Sequence, residues 1–203
     1  MTRLINFVRR NYRAVRDAEL LQVLQSELKY EQSSSTFQRR QAGSLGDFVL
    51  EWDAPQSQDV VLRRRYDWGE EIAISALLGP NALEGEGLLP RQALMKVCVK
   101  KQGLNSVLQF DCRISRKGDD GSEFSIYNAY HHPSSNCFRD SDYRGPLFSS
   151  LDPNLQESLK NYLISRGIGE DLTTFLLSHL HKKEQGQYVS WLRKLEAIVA
   201  KET

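Results

Sequence analysis

Apolar residues in this 203-residue chain change period twice, from helical to alternating and back to helical. Leu4, Ile5, Val8, Tyr12 and Val15 recur at helical spacing and run without a break into Leu20, Leu21, Leu24 and Leu28, predicting one amphipathic helix from about Arg3 to Gln32. After the Ser33–Thr36 linker the period becomes two. Strands are predicted around Phe48–Asp53, Val60–Tyr66, Ile72–Leu78, Met95–Val99, Leu108–Ile114 and Phe124–Ile126, the last extending towards Tyr130. Pro55, the turn at Asp67–Gly69, Gly103 and the loop Gly118–Gly121 punctuate them. Their short connections argue for an antiparallel meander covered on one face.

The helical period returns near the C-terminus. Asp152 is placed to cap a helix that has Pro153 at its first position, Leu155, Leu159, Tyr162 and Leu163 on one stripe, and Gly167 as its stop. A second helix follows at once with Glu170 and Asp171 in its first turn, where the helix dipole favours negative charge. Its stripe is Leu172, Phe175, Leu176 and Leu180, resumed by Tyr188, Trp191, Leu195 and Ile198. A seam spaced like that wants a partner helix, and Leu21, Leu24 and Leu28 at the other end of the chain offer one. The fold class is therefore α+β: a twisted antiparallel sheet flanked by N-terminal and C-terminal helices that pair. One domain over 1–203 is expected, with a helix at 17–32, the sheet at 44–130 and a helical part at 143–203.

Composition adds an asymmetry to this picture. The net charge is +1, yet residues 1–16 hold Arg3, Arg9, Arg10, Arg13 and Arg16 with no acid, so the remainder carries −4. Arginines around an apolar stripe have the character of a mitochondrial targeting helix, although serine is scarce here. The alternative is the solvated start of one long helix. No uninterrupted apolar core follows the arginines, which argues against secretory export, and no apolar run approaches the ~18 residues of a membrane span. The cysteines Cys98, Cys112 and Cys137 are odd in number and share no C-x-x-C spacing, so reduced thiols are expected.

Catalytic chemistry finds little support. His131 and His132 are adjacent on a strand end and point to opposite faces, so a metal site with Cys137 is not expected. His179 and His181 lack the i,i+4 spacing of a helical zinc motif, and Gly85-Glu86-Gly87 lacks the lysine of a phosphate-binding loop. No nucleophile-elbow pattern is present. Cys112 alternates with Phe110 and Ile114 as a core thiol would, while Cys98 lies between Lys96 and Lys100, whose charge favours thiolate, although a bystander role is expected for it. No enzyme, metal or cofactor is expected. In Arg63-Arg64-Arg65, the outer two share a strand face. Arg63, Arg65, Lys96 and Lys100 are candidate nucleic-acid contacts, set against a sheet edge protected by charge. Base-stacking aromatics do not interleave with them.

One long stretch also carries a resemblance. Tyr143, Gly145, Pro146, Phe148, Leu151, Asp152, Leu155 and Gln156 are followed by Tyr162, Leu163, Arg166, Gly167 and Ile168, and then by Lys183, Glu184, Gln185, Tyr188, Trp191 and Leu192. With Phe110, Cys112 and Phe124-Ser125-Ile126 upstream, this ordered set resembles the mitochondrial glycoprotein family, also called the mitochondrial acidic matrix protein family, its plant branch most of all. The resemblance runs from roughly Ala18 to the C-terminus. It implies a seventh strand, a doughnut-like homotrimer, and a binding or scaffold role in the mitochondrial matrix that supports respiratory-chain maintenance and mitochondrial translation. Partners implied are further copies of the chain and other matrix proteins, with an RNA- or ribosome-associated factor as the alternative. Leu88, Leu89, Leu94 and the helix seams are consistent with surplus apolar surface for assembly. The family's dense carboxylates between the third and fourth strands are missing, since that loop holds only Glu84 and Glu86.

Overall fold

The computed structural model describes residues 2–33, 43–80, 83–84, 87–88, 92–118, 121–134, 143 and 145–201, with side chains described outside 2–14 and 83–88. The chain divides into two compact units, one of Arg40–His181 and one of Met1–Arg39 with Lys182–Thr203.

The larger unit holds the sheet. Strands β1 (Val49–Trp52), β2 (Val60–Arg65), β3 (Glu71–Leu78), β6 (Ala93–Lys100), β7 (Val107–Lys117) and β8 (Gly121–His132) pair antiparallel in that order. Between β3 and β6 the loop forms a small hairpin, β4 (Leu83–Glu84) with β5 (Gly87–Leu88), separate from the main sheet. The main sheet thus has six strands among the described residues, and the seventh implied by the resemblance is not one of them. β7 and β8 outrun their expected ends because Arg116, Lys117 and the two histidines keep the ladder beyond the last apolar alternation.

Register explains the core. Leu62, Ile74, Val97 and Phe110 stand level across four strands, as do Val60, Ala76, Met95 and Cys112. All eight are at most 4% exposed. They face Leu163 and Ile168 around helix α2 (Pro153–Ile164) and Leu172, Leu176 and Leu180 in the first half of helix α3 (Glu170–Lys201), in one cluster. Each large side chain buried there contributes roughly 1.5–3 kcal/mol. The ends of α2 are those the residues predict. Asp152 Oδ1 accepts from the Asn154 N–H at 2.9 Å, and Pro153 occupies the first turn. At the other end the Gly167 N–H donates to Ile164 and the Ile168 N–H to Leu163, a double closure that needs the positive φ of +86° that Gly167 adopts. Leu155, expected on the inner stripe, is half exposed. The first half of α3 is buried even at Thr173 and Thr174. Their hydroxyls lie 2.7 and 2.9 Å from Ser122 Oγ on β8, which satisfies all three.

The smaller unit is an antiparallel helix pair. Helix α1 (Thr2–Ser33) buries Leu24 and Leu28 against Leu192 of α3, with Val189, Leu195 and Val199 packed around them. Gln25 Nε2 donates to Glu196, Tyr188 Oη to Glu27 and Gln185 Nε2 to the Glu31 carbonyl. The terminal helices pair as expected, but the face of α3 differs. Trp191 and Ile198 are 52% and 62% exposed, and Tyr188 lies at the seam edge. The buried position is Leu192, one residue after Trp191, with Val189, Leu195 and Val199 partly buried around it.

Candidate functional site

Side chains alternate across a strand, so the face of the sheet turned from α2 is built from the residues between the core positions. Arg63, Arg65, Lys96 and Lys100 all stand on it. The structure therefore brings the four candidate cations together. It also shows what accompanies them. Arg63 Nε donates to Glu51 Oε2 at 2.7 Å, and its Nη1 binds Glu71. Those carboxylates, acting through hydrogen bonds, raise the pKa of Arg63. Arg65 lies 3.8 Å from the second oxygen of Glu71, and Lys100 stands across from Glu71 on the neighbouring strand. Lys96 likewise stands across from Asp111. Arg64 takes the opposite face, where it binds Asp47 and lies 4.3 Å over the Tyr66 ring.

Beside Lys96 a shallow groove of about 480 Å³ is lined by Leu77, Leu94, Asp111, Arg113 and Tyr127, with the Arg113 guanidinium 4.4 Å over the Tyr127 ring. A bulge between Asp111 and Cys112 gives β8 one extra residue here, and Tyr127 is displaced towards this groove. Leu94, one of the residues expected to supply surplus apolar surface, is 39% exposed on its rim. The side chain of Leu88, and Leu89 altogether, lie outside the described residues.

At Cys98 two influences oppose each other. Lys96 does act to lower the pKa of Cys98, but burial outweighs it and the net shift is upward. Burial pushes Cys112 up to about 12. Neither is an activated nucleophile. Cys137 lies outside the described residues. His132 is buried with Nε2 3.1 Å from Gln109 Oε1, while His131 is exposed, so the adjacent pair does diverge. His179 meets Asp53 at 2.8 Å and stacks on Phe175, and His181 is half buried.

Sequence reasoning missed a second constellation. Arg166, at the end of α2, donates two hydrogen bonds to Glu70, which is 5% exposed. Its guanidinium lies 3.4 Å over the Tyr162 ring. Its carbonyl accepts from Tyr66 Oη and Arg64 Nη1, both at 3.2 Å. Burial raises the pKa of Tyr66 and Tyr162 despite the neighbouring arginines. These bonds clamp the β2–β3 turn to the end of α2. The signal was the Tyr-Leu-x-x-Arg-Gly-Ile run itself, in which Arg166 had been given no physical role.

Arg166 and Tyr162 of this clamp, the Asp152 cap and the Gly167 stop fall on residues of the shared run. The sequence model of the mitochondrial glycoprotein family matches residues 90–199, more than half of the chain. The chain belongs to the mitochondrial glycoprotein family. Among curated relatives, an uncharacterized mitochondrial protein of Arabidopsis thaliana is 24% identical over 211 residues, spanning 98% of this chain and 81% of that protein. The mitochondrial acidic protein mam33 of Schizosaccharomyces pombe is 40% identical over 61 residues, which are 30% of this chain and 23% of that one. The fold is that of the p22 protein of Trypanosoma brucei, with a TM-score of 0.70 at 20% identity, covering 91% of this chain and 99% of that one. It is also that of a Leishmania major protein described as a homologue of human p32, with a TM-score of 0.68 at 19% identity over 90% and 98% of the two chains. Within this mitochondrial glycoprotein fold, the polar face of the sheet is the candidate functional surface.

Proposed function

We propose that the protein is a non-enzymatic binding and scaffold protein of the mitochondrial matrix, working as a homotrimer to support respiratory-chain maintenance and mitochondrial translation. The mitochondrial names of its relatives support the compartment. The observation that carries the binding role is the alternation of charge on the sheet face. Arg63 sits between Glu51 and Glu71, Lys96 faces Asp111, and an apolar rim at Leu77 and Leu94 lies beside them. A surface of interspersed signs beside an apolar rim suits a protein partner, whose own charges answer each sign in register. A polyanion would have to displace the carboxylates that already hold these cations. For that reason the RNA- or ribosome-associated reading ranks second.

The test is affinity capture from isolated mitochondria with the wild-type chain and with Lys96→Glu/Glu71→Lys, which inverts two charges on the face. Respiratory-chain or ribosomal proteins recovered with the wild type and lost with a variant that melts normally support the role. Equal recovery by both refutes use of this face. Titration with RNA across salt concentrations addresses the second reading, since phosphate contact appears as a salt slope that falls when Arg63 and Arg65 become alanine. Light scattering addresses the trimer, and a monomer at micromolar concentration would exclude it.

A further inference from the structure

The main sheet ends in two unlike edges. β1 is four residues long, its register slips between Leu50 and Trp52, and Pro55 follows it. Short strands, bulges and proline are devices that keep an edge from pairing further. β8 forms the other edge and, at 12 residues, is the longest strand among the described residues. It holds no proline, lysine or arginine, and Glu123 is its one carboxylate. Gly145 lies so near the Ala129 carbonyl that an added Cβ would meet it at 3.1 Å, which covers the edge there. From Glu123 to Asn128, among the described residues, the backbone makes no hydrogen bond beyond its ladder with β7. Alternate residues in that stretch turn their N–H and C=O groups outward without a protein partner.

A groove of about 1040 Å³ runs beside this edge. β8 lines it from Ser125 to Asn128, and one side of α2 lines it through Gln156, Lys160 and Ile164. Leu147 and Phe148, just ahead of α2, complete the lining. Leu147 is 70% exposed and Ile164 46%, so the groove offers apolar surface as well as backbone. Two cations flank the edge, one from each face of the sheet. Lys160 stands 5.6 Å over the ring of Phe124, and Arg113 stands 4.4 Å over the ring of Tyr127. Among the described residues neither cation has a carboxylate within ion-pair distance. Glu157, one turn before Lys160, also lines the groove without pairing to it.

We propose that β8 accepts, as an added strand, an extended segment of a partner protein that carries two adjacent acidic residues among apolar ones. Main-chain pairing along Glu123–Asn128 supplies the affinity, and side chains entering the groove supply the choice of partner. Neighbouring residues on a strand point to opposite faces, so adjacent carboxylates reach Lys160 on one side and Arg113 on the other. The apolar residues beside them cover Ile126, Leu147 and Ile164. A second copy joined through the same edge would bring cations of its own to that place, and like charges oppose the pairing. The inference rests on the binding role proposed above but uses the edge of the sheet instead of its charged face.

The experiment is fluorescence anisotropy of the full chain with a labelled synthetic peptide of about ten residues, alternating valine and threonine around a central Asp-Glu pair. It is expected to bind at least about tenfold more tightly than the same peptide with a central Lys-Lys pair. Lys160→Glu, on the exposed side of α2, should melt like the wild type and reverse that preference. Methylating the peptide nitrogen at every second residue should abolish binding in one phase and spare it in the other, because only one edge of an added strand meets β8. Hydrogen exchange should show added protection at Glu123–Asn128. No binding, indifference to the central charges, equal loss in both methylation phases, or protection confined to another element would each overturn the proposal. So would protection of β8 that grows with protein concentration in the absence of peptide, since the edge would then serve a second copy. Loss of binding in Arg63→Ala/Arg65→Ala would place the peptide on the charged face, overturning this site while leaving the scaffold role standing.

Discussion

Arg166 grips Glu70 through two parallel hydrogen bonds, Nε to Oε1 at 2.8 Å and Nη2 to Oε2 at 3.0 Å, across 96 residues of sequence. Removing one partner leaves the other charge buried and uncompensated, which costs about 3–5 kcal/mol, whereas replacing both costs less than the sum. Glu70→Ala is therefore expected to lower the melting temperature by roughly 10 °C. Glu70→Leu/Arg166→Met should recover part of that loss in a double-mutant cycle read by denaturant unfolding. Additive losses would show that the two residues act independently.

The helix seam makes a sharper prediction. Leu192 is 3% exposed against Leu24 and Leu28, and Trp191 is 52% exposed. Leu192→Asp should cost upwards of about 3 kcal/mol and leave α1 unpartnered, while Trp191→Asp should cost about 1 kcal/mol or less. Far-ultraviolet circular dichroism during a thermal melt distinguishes them. Equal destabilisation would place Trp191 in the seam after all.

Truncation separates the basic start of α1 from its seam with α3. A 17–203 chain keeps Leu21, Leu24 and Leu28 and is expected to melt within a few degrees of the full chain. A 33–203 chain uncovers Val189, Leu192, Leu195 and Val199 and should aggregate. A fluorescent fusion of 17–203 that still entered mitochondria would show that residues 1–16 are dispensable for import.

Three tyrosines give the stability a dependence on alkaline pH. The hydrogen bond to Glu27 raises Tyr188, and burial raises Tyr66 and Tyr162, each above the ordinary value of 10.0. A pKa raised on folding means that the folded chain holds its proton longer than the unfolded one. The stability is then fully present below about pH 10 and is lost as pH climbs through the folded values. Melts between about pH 8 and pH 12 should show a plateau and then a fall. Tyr66→Phe should weaken the fall but also remove the hydroxyl that bonds the Arg166 carbonyl. Stability that rose over this interval would contradict the shifts.

Much of this was legible in the order of residues. Alternation over Val60–Arg65 and Ile72–Leu78 places the sheet, and Asp152, Pro153 and Gly167 mark both ends of α2 because capping is local chemistry. What failed depended on choosing between neighbours. On α3, Tyr188-Trp191-Ile198 and Val189-Leu192-Val199 are both apolar lines at helical spacing, about 100° apart, and spacing cannot say which one meets α1. For Cys98 the bystander role was expected, but the burial that outweighs the neighbouring lysines belongs to the folded sheet. The clamp of Glu70 and Arg166 was hidden because long-range ion pairs leave no periodic trace.

The meander sets an order of events for the growing chain. Every ladder of the main sheet joins a strand to its successor in sequence, apart from the small hairpin set between β3 and β6, so the sheet can zip up hairpin by hairpin with little loop entropy to overcome. α1 is made first, yet its buried line finds Leu192 only after a loop spanning nearly the whole sequence has closed, as the separation of 171 residues between Gln25 and Glu196 shows. During synthesis from the N-terminus, Leu24 and Leu28 thus remain exposed until the last helix emerges. Of the described elements α1 precedes the sheet yet is covered after it, and for that interval Leu24 and Leu28 offer an apolar line to a chaperone.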